Sequence, residues 1–148
     1  MPVTDPAFEI VPLFSDDLLA ILPRKLKGIP KTVTPAFMSS MPLILGNPQS
    51  ALCRTVTEWL ALAGSVPKPV MEFDNVEAIK SVVAVGLGRF IVPALSLGKG
   101  HIAMTNTTVR PIKPRLARQI ALVKLRGKRS TEAVSLTSAA LLSLRRSR

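Results

Sequence analysis

Cysteine, histidine and aromatic side chains are scarce in this chain of 148 residues. It contains one cysteine, one histidine, one tryptophan and no tyrosine, and aromatic residues make up 4% of it. The lone Cys53 excludes an intramolecular disulfide framework. Cys53 and His101 are also too few to form a zinc site from neighbouring cysteines and histidines. We therefore expect no disulfide-rich secreted fold, and no metal or cofactor held by such residues.

Signals for secretion or membrane insertion are also weak. The N-terminus, MPVTDPAFEI, has no basic residue, so it lacks the positively charged region that opens a signal peptide. The most apolar stretch, Val82–Leu97, is shorter than the roughly 20 residues that a bilayer requires, and it contains Arg89 and Pro93. We expect a cytoplasmic protein with no membrane partner.

Basic charge is concentrated in the C-terminal part of the chain. Residues 110–148 hold 11 lysines and arginines against one acidic residue, Glu132, whereas residues 1–109 hold 9 basic and 8 acidic residues. A basic segment can bind nucleic acid by displacing counterions from phosphates, so a nucleic-acid-binding protein is one interpretation. The other is a solvated basic face. No aromatic residue follows Phe90, so the segment has no platform on which bases could stack.

The middle of the chain predicts two successive β–α units. The apolar run Pro42–Leu45 indicates a buried strand, and Asn47–Pro48 is suited to start the next helix, with asparagine as N-cap and proline in the first position. The run Pro69–Phe73 indicates a second strand, followed by a capping box at Asp74–Glu77. A third strand is predicted at Phe90–Val92. The order β-α-β-α-β favours an α/β fold with a largely parallel sheet.

The flanking segments predict shorter elements. Phe8–Phe14 indicates a strand, and Ser15–Asp17 has the composition of a turn after it. The other predicted elements are three strands and one helix: Leu18–Leu22, His101–Thr105, Gln119–Leu125 and Ala133–Leu144.

Four segments in this order resemble the effector-binding domain of LysR-type transcriptional regulators. They read LLAILPRK, PLILGNPQSALCRTVTEWLALAG, EFDNVEAIKSVVAVGLGRFIVP and RPIKPRLARQIALVKLRGK, the last followed by a predicted helix. The resemblance covers nearly the whole chain. Its most specific part is Glu72–Pro93, with an acidic residue, E-A-I-K, a helix of small residues, G-L-G and a strand that ends in proline.

The resemblance implies a periplasmic-binding-protein-like (type II) α/β effector-binding domain with one complete lobe and one partial lobe. Residues 1–17 and 115–148 would form the partial first lobe, 18–37 and 107–114 the crossing segments and linker, and 38–106 the second lobe. The implied partners are a small-molecule effector in the cleft between lobes and a second copy of the chain in a homodimer or larger homo-oligomer. DNA would be bound only through an N-terminal winged helix-turn-helix, which we expect this chain to lack.

The sharpest functional prediction is an effector site at two helix starts. Free amides at Pro48–Ser50 and Asp74–Val76 would favour an anion such as a carboxylate, although helix capping alone is the alternative. The resemblance adds Thr4, at the first-lobe side of the ligand. Arg89 stands where the family is usually aliphatic, and we expect either a cation in the cleft or an exposed side chain. The predicted effector-binding residues are Thr4, Pro48, Gln49, Ser50, Asp74, Asn75, Val76 and Arg89.

Two further expectations follow from what the chain lacks. An enzyme on the same α/β scaffold is the remaining alternative, but the sequence shows no nucleophile–base pair, metal cluster or phosphate loop, and we expect no catalytic residues. A partial first lobe would also lack the elements that normally cover Gln119–Leu125 and Ala133–Leu144, so apolar side chains in these segments would be exposed to solvent. Because an unpaired apolar edge invites association, we expect the isolated chain to be marginally stable or to self-associate.

Overall fold

The computed structural model describes residues 5–98 and 106–146. The predicted strand His101–Thr105 and the predicted site residue Thr4 lie outside this range. The described residues form six strands: β1 (Phe8–Pro23), β2 (Ile44–Leu45), β3 (Met71–Glu72), β4 (Phe90–Pro93), β5 (Thr107–Pro111) and β6 (Ala117–Leu125). The helices are α1 (Pro35–Ser39), α2 (Ala51–Ala61), α3 (Val76–Ala84) and α4 (Glu132–Ser143), with 3-10 turns at Ala94–Leu97 and Leu144–Arg146.

The chain divides into two compact units. Unit 1 consists of Met1–Asp16 and Arg118–Arg148, and unit 2 consists of Asp17–Ala117. The segments 18–37 and 107–114, predicted as crossings between lobes, fall within unit 2. Unit 2 contains both predicted β–α units and therefore both predicted helix starts.

Unit 2 contains strands of two sheets, which a single isolated bridge connects. β2 and β3 are parallel, with Ile44 opposite Met71. A parallel bridge between Leu43 and Arg89 places β2 beside the start of β4, and the Ile44 amide donates to the Arg89 carbonyl at 2.8 Å. β1 runs antiparallel to both β4 and β5. The parallel arrangement predicted from the β–α units is thus found in the pair β2–β3 and in the bridge just before β4, while β1 forms antiparallel pairs with β4 and β5.

Both faces of the sheet that contains β1 are covered, as the alternation along β1 requires. Leu18, Ala20 and Leu22 point to the face that packs against α2, where Val56, Trp59 and Leu60 are buried. Ile21 points to the opposite face, where Ile79 and Val83 of α3 are buried. Gly88 is needed between these layers, because a Cβ at this position would lie 2.8 Å from Cγ1 of Ile44.

The turn predicted at Ser15–Asp17 is wrong, since β1 continues through it as a single strand of 16 residues. The two carboxylates are instead held by arginines that follow β5. The buried Asp16 accepts from Arg118, whose Nε lies 2.9 Å from Oδ2, and Asp17 Oδ1 accepts from Nε and Nη2 of Arg115 at 3.0 and 2.7 Å. Paired carboxylates do not need the solvent exposure of a turn, so the backbone can stay extended.

Unit 1 has few buried side chains. β6 pairs with β1, and the Arg126 amide donates to the Ala7 carbonyl at 2.8 Å. Within the described part of this unit, the buried residues are Asp16 and Ser138, both polar. α4 matches the predicted helix in position, but its apolar side chains at helical spacing are exposed, with Leu136 at 65%.

Candidate functional site at the carboxyl edge of the unit 2 sheet

The loops after β2 and β3 lie next to each other. Because the two strands are parallel and in register, their last residues, Leu45 and Glu72, are opposite one another. The Phe73 amide donates to the Leu45 carbonyl at 3.2 Å, which ties the loops together just beyond the strands. We call these two loops, residues 46–50 and 73–75, the carboxyl edge. In open α/β sheets this is the edge at which ligands bind.

The start of α2 differs in detail from the prediction. The N-cap is Ser50, whose Oγ accepts from the Cys53 amide at 3.0 Å, so Asn47 is not the cap and Pro48 is not in the helix. Asn47 Oδ1 accepts from the Gln49 amide at 2.8 Å and forms a local turn instead. Asparagine and serine are both strong N-cap residues, and the hydroxyl placed immediately before the helix takes that role.

The first turn of α2 leaves backbone donors available. In the described structure, the amides of Ala51 and Leu52 have no acceptor, and the first turn contains no acidic residue. These amides carry the positive end of the helix dipole, which favours an anion placed against them. Pro48 and Gln49 are exposed and Ser50 is half-buried, so the turn is open to solvent.

The start of α3 has a different character. Its N-cap is Asn75, whose Oδ1 accepts from the amides of Glu77 and Ala78 at 2.8 and 3.3 Å, so the predicted capping role of Asp74 is wrong. The side chains of Glu72, Asp74 and Glu77 bring carboxylates to this loop. Glu77 forms an ion pair with Lys80. This helix start is therefore capped by its own asparagine and flanked by acidic groups, which suits hydroxyl groups better than an anion.

The structure brings six of the predicted site residues to the carboxyl edge and separates one from them. Pro48, Gln49, Ser50, Asp74, Asn75 and Val76 lie in or directly after its two loops. Arg89 does not join them, because its bridge to Leu43 places it at the amino end of β2.

Arg89 is enclosed by protein, so the alternative of an exposed side chain is wrong. The residue is 1% exposed. Its Nη1 donates to the Phe37 carbonyl in α1, and its guanidinium carbon lies 4.6 Å from the centre of the Phe37 ring. Burial lowers the pKa of Arg89 from its ordinary value to about 10, because desolvation penalises the charged form. Sequence reasoning missed Phe37, since no local pattern links two residues so far apart in the chain.

Residues 1–145 match the family described as the LysR substrate binding domain. The chain belongs to this LysR family. Among residues 5–98 and 106–146, no cluster of three histidine, cysteine, aspartate or glutamate side chains could hold a metal ion. In the same ranges no helix combines the length and apolar character needed to cross a bilayer.

Solved structures of LysR effector-binding domains share the fold, which is the type II periplasmic-binding-protein-like fold. The effector-binding domain of QuiR in complex with shikimate is 20% identical with a TM-score of 0.82, covering 99% of this chain and 69% of that one. The CcmR regulatory domain of Synechocystis PCC6803 in complex with 2-PG is 19% identical with a TM-score of 0.84, covering 99% and 71%. The reduced OxyR regulatory domain from Pseudomonas aeruginosa is 19% identical with a TM-score of 0.78, covering 97% and 70%. No curated protein matches the chain.

Proposed function

We propose that this LysR-family chain is a ligand-sensing module that binds a small carboxylate effector at the carboxyl edge of unit 2. The observation that carries the proposal is the start of α2, where the Ala51 and Leu52 amides are without acceptors in the described structure and the first turn contains no acidic residue. A charge at a helix N-terminus is stabilised by about 0.3–1 kcal/mol when exposed, and by more when it is partly buried.

The two helix starts favour different parts of one ligand. A carboxylate would accept from the first-turn amides of α2, beside Gln49 and Ser50. Hydroxyl groups would donate to the carboxylate of Asp74, next to Asn75, on the neighbouring loop. A hydroxylated carboxylic acid satisfies both, and shikimate, the ligand named for the QuiR domain, is a compound of this class.

In this proposal the chain acts by reversible binding and has no catalytic role. The effector would alter the conformation of the domain and thereby the activity of a transcriptional regulator, while DNA recognition would belong to a winged helix-turn-helix outside this chain. A second copy of the chain is the expected protein partner.

The proposal is tested by removing one backbone donor without removing a side chain contact. Ala51 is the first residue of α2, where proline is tolerated, and Ser50 already has the extended backbone that a following proline requires. We expect A51P to fold normally and to weaken the binding of shikimate, used as the probe, by about tenfold to 150-fold in calorimetry, the range expected for one hydrogen bond to a charged acceptor.

The matched control is V76P, which removes the equivalent donor at the first position of α3. Asn75 is extended, so the helix can still start there. We expect V76P to bind shikimate within twofold of the unaltered chain, and the methyl ester of shikimate to bind weakly to all three proteins. Equal affinity of A51P and the unaltered chain for shikimate, or equal binding of acid and ester, would contradict a carboxylate at α2.

A further inference from the structure

The buried guanidinium of Arg89 has only part of its hydrogen-bonding capacity satisfied. Nη1 donates to the Phe37 carbonyl, but Nε and Nη2 are inaccessible to solvent and have no acceptor in the described structure. No carboxylate among residues 5–98 and 106–146 forms an ion pair with it. A buried charge without a counter-charge and with unsatisfied donors is costly and needs a specific explanation.

The two nitrogens without an acceptor, Nε and Nη2, are the pair of a guanidinium that can bind one anion together. Nε–H and the adjacent Nη2–H of a guanidinium point in the same direction and form the fork that binds an acceptor through two parallel hydrogen bonds. The third nitrogen, Nη1, is already used for Phe37, and the ring of Phe37 covers one face of the group. The remaining interaction of Arg89 is therefore directed along one edge.

A second polar atom in α1 is also unsatisfied. Oγ of Ser39, two residues after Phe37, is buried and has no hydrogen-bond partner in the described structure. A hydroxyl can rotate its hydrogen toward an acceptor, as anion binding requires. The donors left over in this part of unit 2 are thus a cationic fork and, on the helix that Arg89 contacts, a hydroxyl.

We propose that Arg89 holds a small inorganic monoanion of the halide class inside unit 2, between α1 and the start of β4. Because Nε and Nη2 are closed off from solvent, the occupant must be small enough to be enclosed. The anion would neutralise the guanidinium and accept from both nitrogens of the fork. This site is separate from the proposed effector site, since Arg89 lies beside Leu43 at the opposite end of β2 from residues 46–50.

Bromide is the probe, because it substitutes for chloride and scatters X-rays anomalously. Thermal unfolding of the full chain is followed while sodium gluconate is replaced by sodium bromide at constant ionic strength. We expect the Tm of the unaltered chain to rise with bromide, as it does for any ligand that binds the folded state alone. We expect R89M to lose this rise, and R24M, which removes an exposed arginine, to keep it.

A crystal of the unaltered chain soaked in bromide gives a second measurement that does not depend on the folding of R89M. An anomalous peak in contact with Nε and Nη2 of Arg89 is the expected result. The proposal is overturned by the absence of a peak at Arg89, by a water molecule in that place, or by equal bromide responses of R89M and R24M. Failure of shikimate to bind leaves this prediction unaffected, because the two sites use different residues.

Discussion

At the scale of single residues, Arg89 shows how a charge can be placed in a core. Its neighbours along the strand, Phe90, Ile91 and Val92, are all buried apolar residues. The contact with the Phe37 carbonyl and ring compensates for part of the lost hydration. The lowered pKa shows that the compensation is incomplete, because a fully compensated cation would keep its ordinary value.

Replacing Arg89 with methionine is expected to stabilise the chain when no small anion is present. In gluconate buffer at pH 8, we expect R89M to unfold at higher urea concentration, with a gain of about 1–4 kcal/mol, the range seen when buried charges are replaced by apolar side chains. Burial lowers the pKa of Arg89 to about 10 in the folded chain, below its ordinary value in the unfolded chain, so the unaltered chain gains stability relative to R89M as the pH rises through 10. A difference between the two proteins that stays constant from pH 8 to pH 11 would contradict this assignment.

At the scale of elements, β1 depends on two ion pairs of different burial. Asp16 is fully buried and pairs with Arg118, whereas the Asp17–Arg115 pair is exposed on both sides. Removing Arg118 leaves a carboxylate enclosed by protein, while removing Arg115 leaves one that water can hydrate. The two arginines therefore provide a matched comparison within one strand pair.

We expect R118M to lower the free energy of unfolding by about 3–5 kcal/mol, the cost of breaking a buried ion pair by removing one partner. The control R115M should lower it by about 0–1 kcal/mol, as for exposed pairs. Urea denaturation followed by circular dichroism measures both. Losses of equal size in the two variants would show that Asp16 is not held by Arg118 in the folded chain.

The elements that the sequence predicts well are those determined by residues close to one another in the chain. The helices α2 and α3 are predicted from the capping residues that follow two short apolar runs, and β4 from a short apolar run that ends in proline. The N-caps were placed on the wrong residues, because Asn47–Ser50 and Asp74–Asn75 each offer two capping side chains and only the backbone geometry selects one. The strand through Asp16 and the burial of Arg89 depend on partners far away in sequence, which no local pattern contains.

At the scale of the whole molecule, the two units differ in how much apolar surface they bury. Unit 2 has apolar clusters on both faces of its sheet, and the described part of unit 1 buries no apolar residue. Unit 1 nevertheless exposes Val123, Leu125, Val134 and Leu136. A groove of about 630 Å³ lies between β6 and α4 and is lined by basic and apolar side chains. Surfaces of this kind favour association, because burying an exposed apolar side chain is worth about 1.5–3 kcal/mol.

We predict that unit 1 drives concentration-dependent self-association. The groove is lined by Lys124, Arg126, Lys128 and Arg129 against Glu9, so like charges oppose contact between two copies while the apolar side chains favour it. Association should therefore strengthen as the salt concentration rises, because screening weakens the repulsion between the basic side chains while the attraction between apolar side chains remains. Sedimentation velocity across protein and salt concentrations measures this. The double substitution V134K/L136K should keep the chain monomeric.

The control for this test is L62K, which places a lysine on an equally exposed leucine of unit 2 and should associate like the unaltered chain. A chain that stays monomeric at high concentration and high salt, or an L62K variant that loses association as V134K/L136K does, would contradict a role for unit 1. Because Trp59 is the single tryptophan and is buried in unit 2, its fluorescence reports whether each variant keeps that core intact. Association lost with unchanged Trp59 fluorescence would assign the contact to the apolar surface of α4 and not to a change in folding.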